Sequence, residues 1–225
     1  GGVYRLDSRI AICPQCGFSF NSPCPAAEAW HQYYTSGLST CPGIGAAFDT
    51  KARFEFLKRY GTRKSVFLEI GGGQVGEFQR RCRRLFKAAF MVELIAETAA
   101  DFRSLTQVPS ASMDVIAHYD VLEHVLEVRD FLKNCHRILK KNGVMICEVP
   151  DVRLYPKNLV ILELEHVNHF SSFSLAMIAQ QCGLSLVEVS HAASRPYGFA
   201  AVFKKIRPKA LFLSLIHISE PTRPY

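Results

Sequence analysis

Nothing in this sequence is apolar for the roughly 20 consecutive residues that a membrane-spanning helix needs, and the N-terminus carries no basic-then-apolar leader pattern. No membrane span is expected, and the chain is expected in the cytoplasm. Internal repeats and low-complexity tracts are missing as well, which removes repeat arrays and biased linkers from consideration. Cysteine is too sparse for a disulfide scaffold: there are 8 in 225 residues, and Cys82, Cys135, Cys147 and Cys182 sit inside apolar patterns where they read as small core residues. The glycine and aromatic interleaving of RNA-binding modules is absent too. The net charge of +7 is scattered apart from one dense run, "RRCRRLFK", Arg80 to Lys87. There Phe78, Cys82, Leu85, Phe86 and Ala89 recur at helical spacing while the arginines take the other face, the pattern of a solvated helix. No nucleic-acid partner is expected.

What is present is enough apolar material, 48% of residues, to bury one sizeable core with a small appendage. Residues 1–45 are rich in Cys, Pro, Gly and Ser without sustained periodicity, which predicts a loop-rich module. Residues 46–212 then form the main domain. A leading helix is expected over Asp49 to Tyr60, on Ala52, Phe56, Leu57 and Tyr60. After it the pattern alternates: strand Val66 to Ile70, helix Val75 to Ala89, strand Phe90 to Leu94, strand Asp114 to Tyr119, helix Val125 to Leu139, strand Val144 to Val149. Strands separated by helices imply right-handed crossovers and a mainly parallel sheet. Val125, Val128, Leu132, Cys135 and Leu139 trace one face of the longest helix, which "KKNG" is expected to stop. A helix over Ser174 to Gln181 should end at Gly183. Strands Ser185 to Ser190 and Phe199 to Lys204, joined by "RPYG", read as an antiparallel hairpin at the sheet edge.

The most informative stretch is "FLEIGGGQVGEF", Phe67 to Phe78, where a strand turns into a helix through a glycine cluster. Gly71, Gly73 and Gly76 satisfy G-x-G-x-x-G, and Glu93 ends the next strand, near where a ribose-binding acid belongs. That pattern alone fits any adenosine-bearing ligand. Glu69, two residues ahead of the first glycine, separates the cases. A carboxylate there repels a pyrophosphate but suits a cofactor that carries an ammonium group and no phosphate.

Phe67 to Phe78 resembles the first motif of class I S-adenosylmethionine-dependent methyltransferases. "MDVIAHYDVLEHVLEVRDFLKNCHRILKKNGVMICEVPDV" is similar to their fourth-to-fifth-strand region, and "EHVNHFSSFSLAMIAQQCGLSLVEV" to the segment leading into their last strands. Upstream, "CPQCGFSFNSPCPAAEAWHQYYTSG" resembles the half zinc ribbon and tyrosine-containing linker of bacterial members associated with sugar, cell-surface glycan or secondary-metabolite methylation. The resemblance covers most of Ile12 to Lys204. It implies a Rossmann-like, doubly wound α/β fold with a mainly parallel, seven-stranded-type sheet closed by an antiparallel hairpin. It also implies S-adenosylmethionine as donor and a small-molecule, sugar or glycan acceptor.

Carried over by position, the resemblance assigns Glu69 and the backbone around Gly71 and Gly73 to the methionine end; Gly76 and Tyr119 are expected among the cofactor-binding residues as well. Glu93 takes the ribose hydroxyls. Asp101 either accepts from the adenine amino group or is a solvated loop acid, and Leu94 or Phe102 covers the ring. Two departures stand out. One extra residue separates Gly73 from Gly76, and the interval from Glu93 to Asp114 is short for a full helix and third strand.

Three histidines, His124, His166 and His169, fall in matched segments as general-base candidates, each with a structural reading beside it. Glu123 and Glu165 either orient an imidazole or chelate a cation, and Glu123 also reads as a helix-start acid. Tyr33 and Tyr34 either close over the acceptor or pack. Cys13 and Cys16 make one C-x-x-C knuckle, while a structural zinc needs four ligands. The resemblance places the other pair upstream, in a longer protein, and Cys24 and Cys41 are alternative partners at a non-standard spacing. Residues 213–225 are expected to be extraneous, since Leu213 to Arg223 resembles translated sequencing-adapter DNA, and the chain is expected to be a fragment cut at both ends. Two further readings stay open: an NAD-dependent oxidoreductase on the same kind of sheet, and a non-catalytic binding protein.

Overall fold

Alternating burial along the strands sets the architecture. In the computed structural model, which describes residues 9–35, 49–73, 76–94, 98–157, 165–193 and 197–206, the apolar run Val66–Ile70 forms β3. Its odd and even residues feed different cores. Phe67 packs in one cluster, with Leu57, Phe78, Cys82, Phe86 and Tyr119. Leu68 and Ile70 pack in the other, with Val128, Leu132, Cys135, Leu175 and Phe203. Period-2 alternation therefore puts Glu69 on the Phe67 side.

Among the described residues the main sheet has six strands, in the order β4-β3-β5-β6-β9-β8. They are β4 (Ala88–Val92), β5 (Met113–Tyr119), β6 (Leu139–Pro150), β8 (Leu184–His191) and β9 (Gly198–Lys205) beside β3. The pairs β3–β4, β3–β5 and β5–β6 are parallel, whereas β6–β9 and β8–β9 are antiparallel. The expected doubly wound, mainly parallel sheet with a closing hairpin is thus observed, with six strands among the described residues where seven were expected. Where an outer strand would lie next to β4, Phe102 makes a single parallel bridge to Val92, and the chain then enters a 3-10 turn at Leu105–Gln107. The short interval supplies that one bridge.

Two helix layers cover the sheet. On the Phe67 side lie α2 (Thr50–Leu57) and α3 (Glu77–Leu85); on the other lie α4 (Val128–Ile138) and α5 (Ser172–Gln181). Asp49 caps α2, its carboxylate accepting from Ala52 N at 2.8 Å, and Ser171 with Ser174 forms a capping box on α5. Helix α3 is shorter than expected because Phe86 turns extended and stacks on Phe67 at 5.0 Å. Lys87 N then donates to Ser65 O at 3.0 Å, which starts β4 two residues early. Helix α4 starts three residues late, after a 3-10 turn at Leu122–His124. It stops at Ile138, ahead of "KKNG"; the left-handed residue there is Asn142 (φ 64°), not Gly143.

Residues 9–35 carry more structure than their composition indicates. A hairpin, β1 (Arg9–Ile12) and β2 (Ser19–Ser22), precedes helix α1 (Ala27–Thr35). Strand β2 also pairs antiparallel with β7 (Asn168–His169), giving a second sheet of order β1-β2-β7. The N-terminal hairpin is therefore stitched to the C-terminal half of the main domain.

Candidate functional site

The glycine turn leaves β3 with left-handed backbone at Gly71 (φ 71°) and Gly73 (φ 64°). The two glycines serve different needs. A Cβ on Gly71 would run into Val121 Cγ2, while one on Gly73 would meet nothing within 4 Å, so only its backbone angle calls for glycine. Gly76 caps α3 in extended conformation, φ −86°; positions 74 and 75, which hold the extra residue of the motif, lie outside the described residues.

Directly under the turn sits Glu69. A Cβ on Gly72 would stand 2.9 Å from its Cδ. Burial raises the Glu69 carboxyl to about 7; Arg53 pulls the other way and Glu93 adds to the rise. Glu93, at the end of β4, bridges the turn from the far side: Oε2 accepts from Gly73 N and Oε1 from Leu94 N, each at 2.8 Å. A cleft opens beside them, lined by Thr50, Arg53, Glu69, Gly72, Phe78 and Tyr119. Tyr119 is 7% exposed, and its hydroxyl has no hydrogen-bond partner among the described residues. Burial pushes that phenol well above its ordinary pKa, so it remains a neutral donor. Such a hydroxyl is costly to bury unbonded and is suited to receive a ligand.

Arg53 was not singled out in the sequence. It is 8% exposed, stacks 4.5 Å from the Tyr119 ring centroid, and pairs with Asp120 at 2.7 Å and Glu148 at 3.1 Å. Its spacing, four residues before the fully buried Leu57, placed a charge on the inner face of α2, and that was the available signal.

Asp101 is bonded within the fold, its Oδ2 accepting from Met91 N at 2.8 Å with Arg83 at 3.4 Å. Leu94 is exposed and Phe102 packs 5.9 Å from Phe90. Glu69, Gly71, Gly73, Gly76, Glu93 and Tyr119 are thus gathered around one turn and cleft, while Asp101 and Phe102 lie along the β4 edge.

The histidines gather at the carboxyl end of β5, where open parallel sheets hold ligands. Glu123, His124 and His166 each bring a donor atom within 4.8 Å of the others, and the two imidazoles stand edge-on at 4.8 Å between centroids. Glu123 and His166 are 1% and 5% exposed. Burial, followed by the His166 neighbour, lowers His124 to about 3, and the same causes lower His169 to about 4. His169 stands apart from the other two in its bonding, with Nε2 2.9 Å from Asn21 Oδ1.

Helix α1 forms the roof. Trp30 Nε1 donates to the His124 carbonyl at 2.8 Å. Tyr34 Oη lies 2.8 Å from His124 Nδ1 and donates to Glu165 Oε2 at 3.4 Å, while Tyr33 donates to Glu165 Oε1. Trp30 was missed because its partner lies 94 positions away in sequence. The contact between Gly71 and Val121 joins the histidine cluster to the glycine turn, three positions ahead of His124.

At the hairpin tip, Gly17 N donates to Cys13 O at 2.9 Å, which folds the C-x-x-C segment into a knuckle. Burial raises the Cys13 thiol, but the Cys16 and Gln15 backbone donors outweigh it and hold the pKa below its ordinary value; Cys16 is raised by burial. Cys41 and the tail at 213–225 lie outside the described residues. No described helix is long and apolar enough to cross a membrane.

A family profile described as "Methyltransferase domain" matches residues 46–189. A curated protein of Mycolicibacterium smegmatis, described as a probable S-adenosylmethionine-dependent methyltransferase, is 25% identical over 79 residues, 35% of this chain. The match spans 31% of that relative's length. Among solved structures, the fold is similar to a 1,6-didemethyltoxoflavin-N1-methyltransferase of Burkholderia thailandensis with bound 1,6-didemethyltoxoflavin and S-adenosylhomocysteine. That similarity has a TM-score of 0.59 at 13% identity, covering 90% of this chain and 100% of that one. A SAM-dependent methyltransferase of Aquifex aeolicus gives a TM-score of 0.55 at 15% identity over 73% of this chain and 94% of that one.

Proposed function

The chain belongs to the methyltransferase-domain family, and from that premise we propose that it is an S-adenosylmethionine-dependent methyltransferase acting on a small-molecule, sugar or glycan acceptor. The observation that carries this reading is the buried Glu69 carboxyl beneath the glycine turn. A pyrophosphate over that acid would meet repulsion, whereas an ammonium group would be drawn to it. The same contact disfavours the nicotinamide dinucleotide reading.

The donor supplies a methyl group on a cationic sulfur when bound. The chain's own residues supply the rest. Glu69 and the turn at Gly71 to Gly73 take the charged amino-acid end. Glu93, already accepting two backbone N–H groups, is placed to accept the ribose hydroxyls as well. Tyr119 adds an unspent hydroxyl to the cleft. Trp30, Tyr33 and Tyr34 cover the acceptor side and exclude water, which suits an in-line displacement that depends mainly on alignment. His124 and His169 are held neutral, so they offer nitrogen lone pairs and N–H groups for positioning rather than stored charge. The Cys13 and Cys16 knuckle supplies two thiol ligands of the four that a structural zinc needs.

Calorimetric titration of the chain with S-adenosylhomocysteine, beside NAD, tests the reading. Micromolar binding of the first, on the order of 8 kcal/mol, with none of the second is the expected result. NAD binding with refusal of S-adenosylhomocysteine would overturn it.

A further inference from the structure

The cluster at the end of β5 has the composition of a metal centre. We propose that Glu123, His124 and His166 bind a divalent transition-metal cation through one carboxylate oxygen and two imidazole nitrogens.

Two imidazoles and a carboxylate are a mixed N/O set that suits borderline cations such as manganese, iron, cobalt or zinc in their divalent states. Three protein ligands leave coordination positions open, as sites that engage an exogenous oxygen do. The donor atoms lie within 4.8 Å of one another. Ligands held at about 2.1 Å from one ion stand roughly 3.0 to 3.4 Å apart, so closure onto a cation takes side-chain shifts of about 1 Å.

The surroundings fix the ligands as an outer shell does. His124 Nδ1 lies 3.0 Å from the Glu165 carbonyl oxygen. A carbonyl only accepts, so Nδ1 carries the proton and the Nε2 lone pair is left for a cation. Tyr34 Oη steadies the same ring at 2.8 Å. Asn21 Nδ2 donates to the His166 carbonyl at 3.0 Å, and Trp30 holds the His124 carbonyl. Both residues that carry imidazole ligands are therefore anchored by residues of the N-terminal segment, from outside the cluster.

The placement says what the cation is for. Val121 touches the glycine turn at Gly71, and Glu123 follows two positions later, so the cluster is joined to that turn by a short stretch of chain. The acceptor class this favours is one with an oxygen that can chelate or ligate the cation, a hydroxyl or enol. That last step rests on the methyltransferase reading; cation binding does not.

The test uses the full chain and Mn2+ alone, which prefers N/O ligands over the Cys13 and Cys16 thiolates. Electron paramagnetic resonance should show one saturable Mn2+ per chain, and pulsed spectra should show coupling to imidazole nitrogen. Glu123→Gln and His166→Asn should each weaken binding at least roughly tenfold, with Cys13→Ser/Cys16→Ser unchanged. Unsaturable binding, bound Mn2+ without imidazole nitrogen coupling, or affinity lost in the cysteine variant and kept in the other two would each overturn the proposal. The pulsed spectrum of the wild-type chain decides even if a substituted chain fails to fold. S-adenosylhomocysteine titration of the same protein separates failure of this site from failure of the donor reading.

Discussion

Glu93 reaches from the end of β4 to Gly73 and accepts the turn's backbone N–H at 2.8 Å. The acid expected to meet the ribose also holds the loop that meets the amino-acid end. Glu93→Ala should therefore weaken S-adenosylhomocysteine binding by at least about tenfold, one hydrogen bond to a charged group being worth roughly 1.5–3 kcal/mol. Glu93→Gln, which keeps one acceptor oxygen for Gly73, should lose less. Calorimetry on both variants checks the order; unchanged affinity in Glu93→Ala would remove the ribose assignment.

Glu69 gives the chain a pH signature. Its carboxyl titrates at 4.5 in an ordinary setting and at about 7 in the fold. Between those values the folded chain holds the proton and the unfolded chain releases it. Stability should fall as pH rises from 4.5 to 7, by on the order of 3 kcal/mol, and then level off. Ligand affinity should move the opposite way, rising through pH 7 as the carboxylate forms to meet an ammonium group. Urea melts and calorimetry across pH 5 to 8 read both slopes, and Glu69→Gln should flatten both. Arg53 and Glu93 are the charges that act on this group, and both stay in the variant.

Substituting the two left-handed glycines should give unequal costs. Gly71→Ala meets both an unfavourable φ and Val121, so about 2–4 kcal/mol of lost stability is expected with loss of ligand binding. Gly73→Ala meets only the backbone angle and should cost about 1 kcal/mol. Equal denaturation midpoints for the two variants would contradict the packing at Val121.

Arg53→Met should destabilise the chain by about 3–5 kcal/mol, since Glu148 is fully buried and loses its cation. The double change Arg53→Met/Glu148→Gln should recover part of that loss. A variant as stable as wild type would mean that the ion pair is not needed to hold the β6 carboxylate.

How much of this was readable in the sequence follows from the range of the interactions. Glu69, the three glycines and Glu93 were legible because strand, turn and helix are short-range patterns, and the alternation in Val66–Ile70 fixes which face Glu69 takes. The leading helix, α5 and the closing hairpin were legible for the same reason. Helix ends were not: Phe86 leaves α3 to stack on Phe67, a tertiary contact that overrides local spacing. The N-terminal strands were missed because β2 owes its place to β7, far along the chain, and "RIAI" is mostly exposed and so shows no burial period. The histidines were found singly by segment, but that Glu123 and His166 meet depends on contacts between distant segments, and that Tyr34 and Trp30 fasten His124 depends on contacts across 90 or more positions.

The pairing of β2 with β7, and of Asn21 with His169, has a practical side. The family match begins at residue 46, so a chain trimmed there would keep the residues of the cleft beside Glu69 and shed the aromatic ceiling over the imidazoles. Under the proposed function, donor capture and acceptor choice would fall to separate stretches of polypeptide, and a clone cut at that boundary would retain the glycine turn while lacking Trp30, Tyr33 and Tyr34 above the imidazoles.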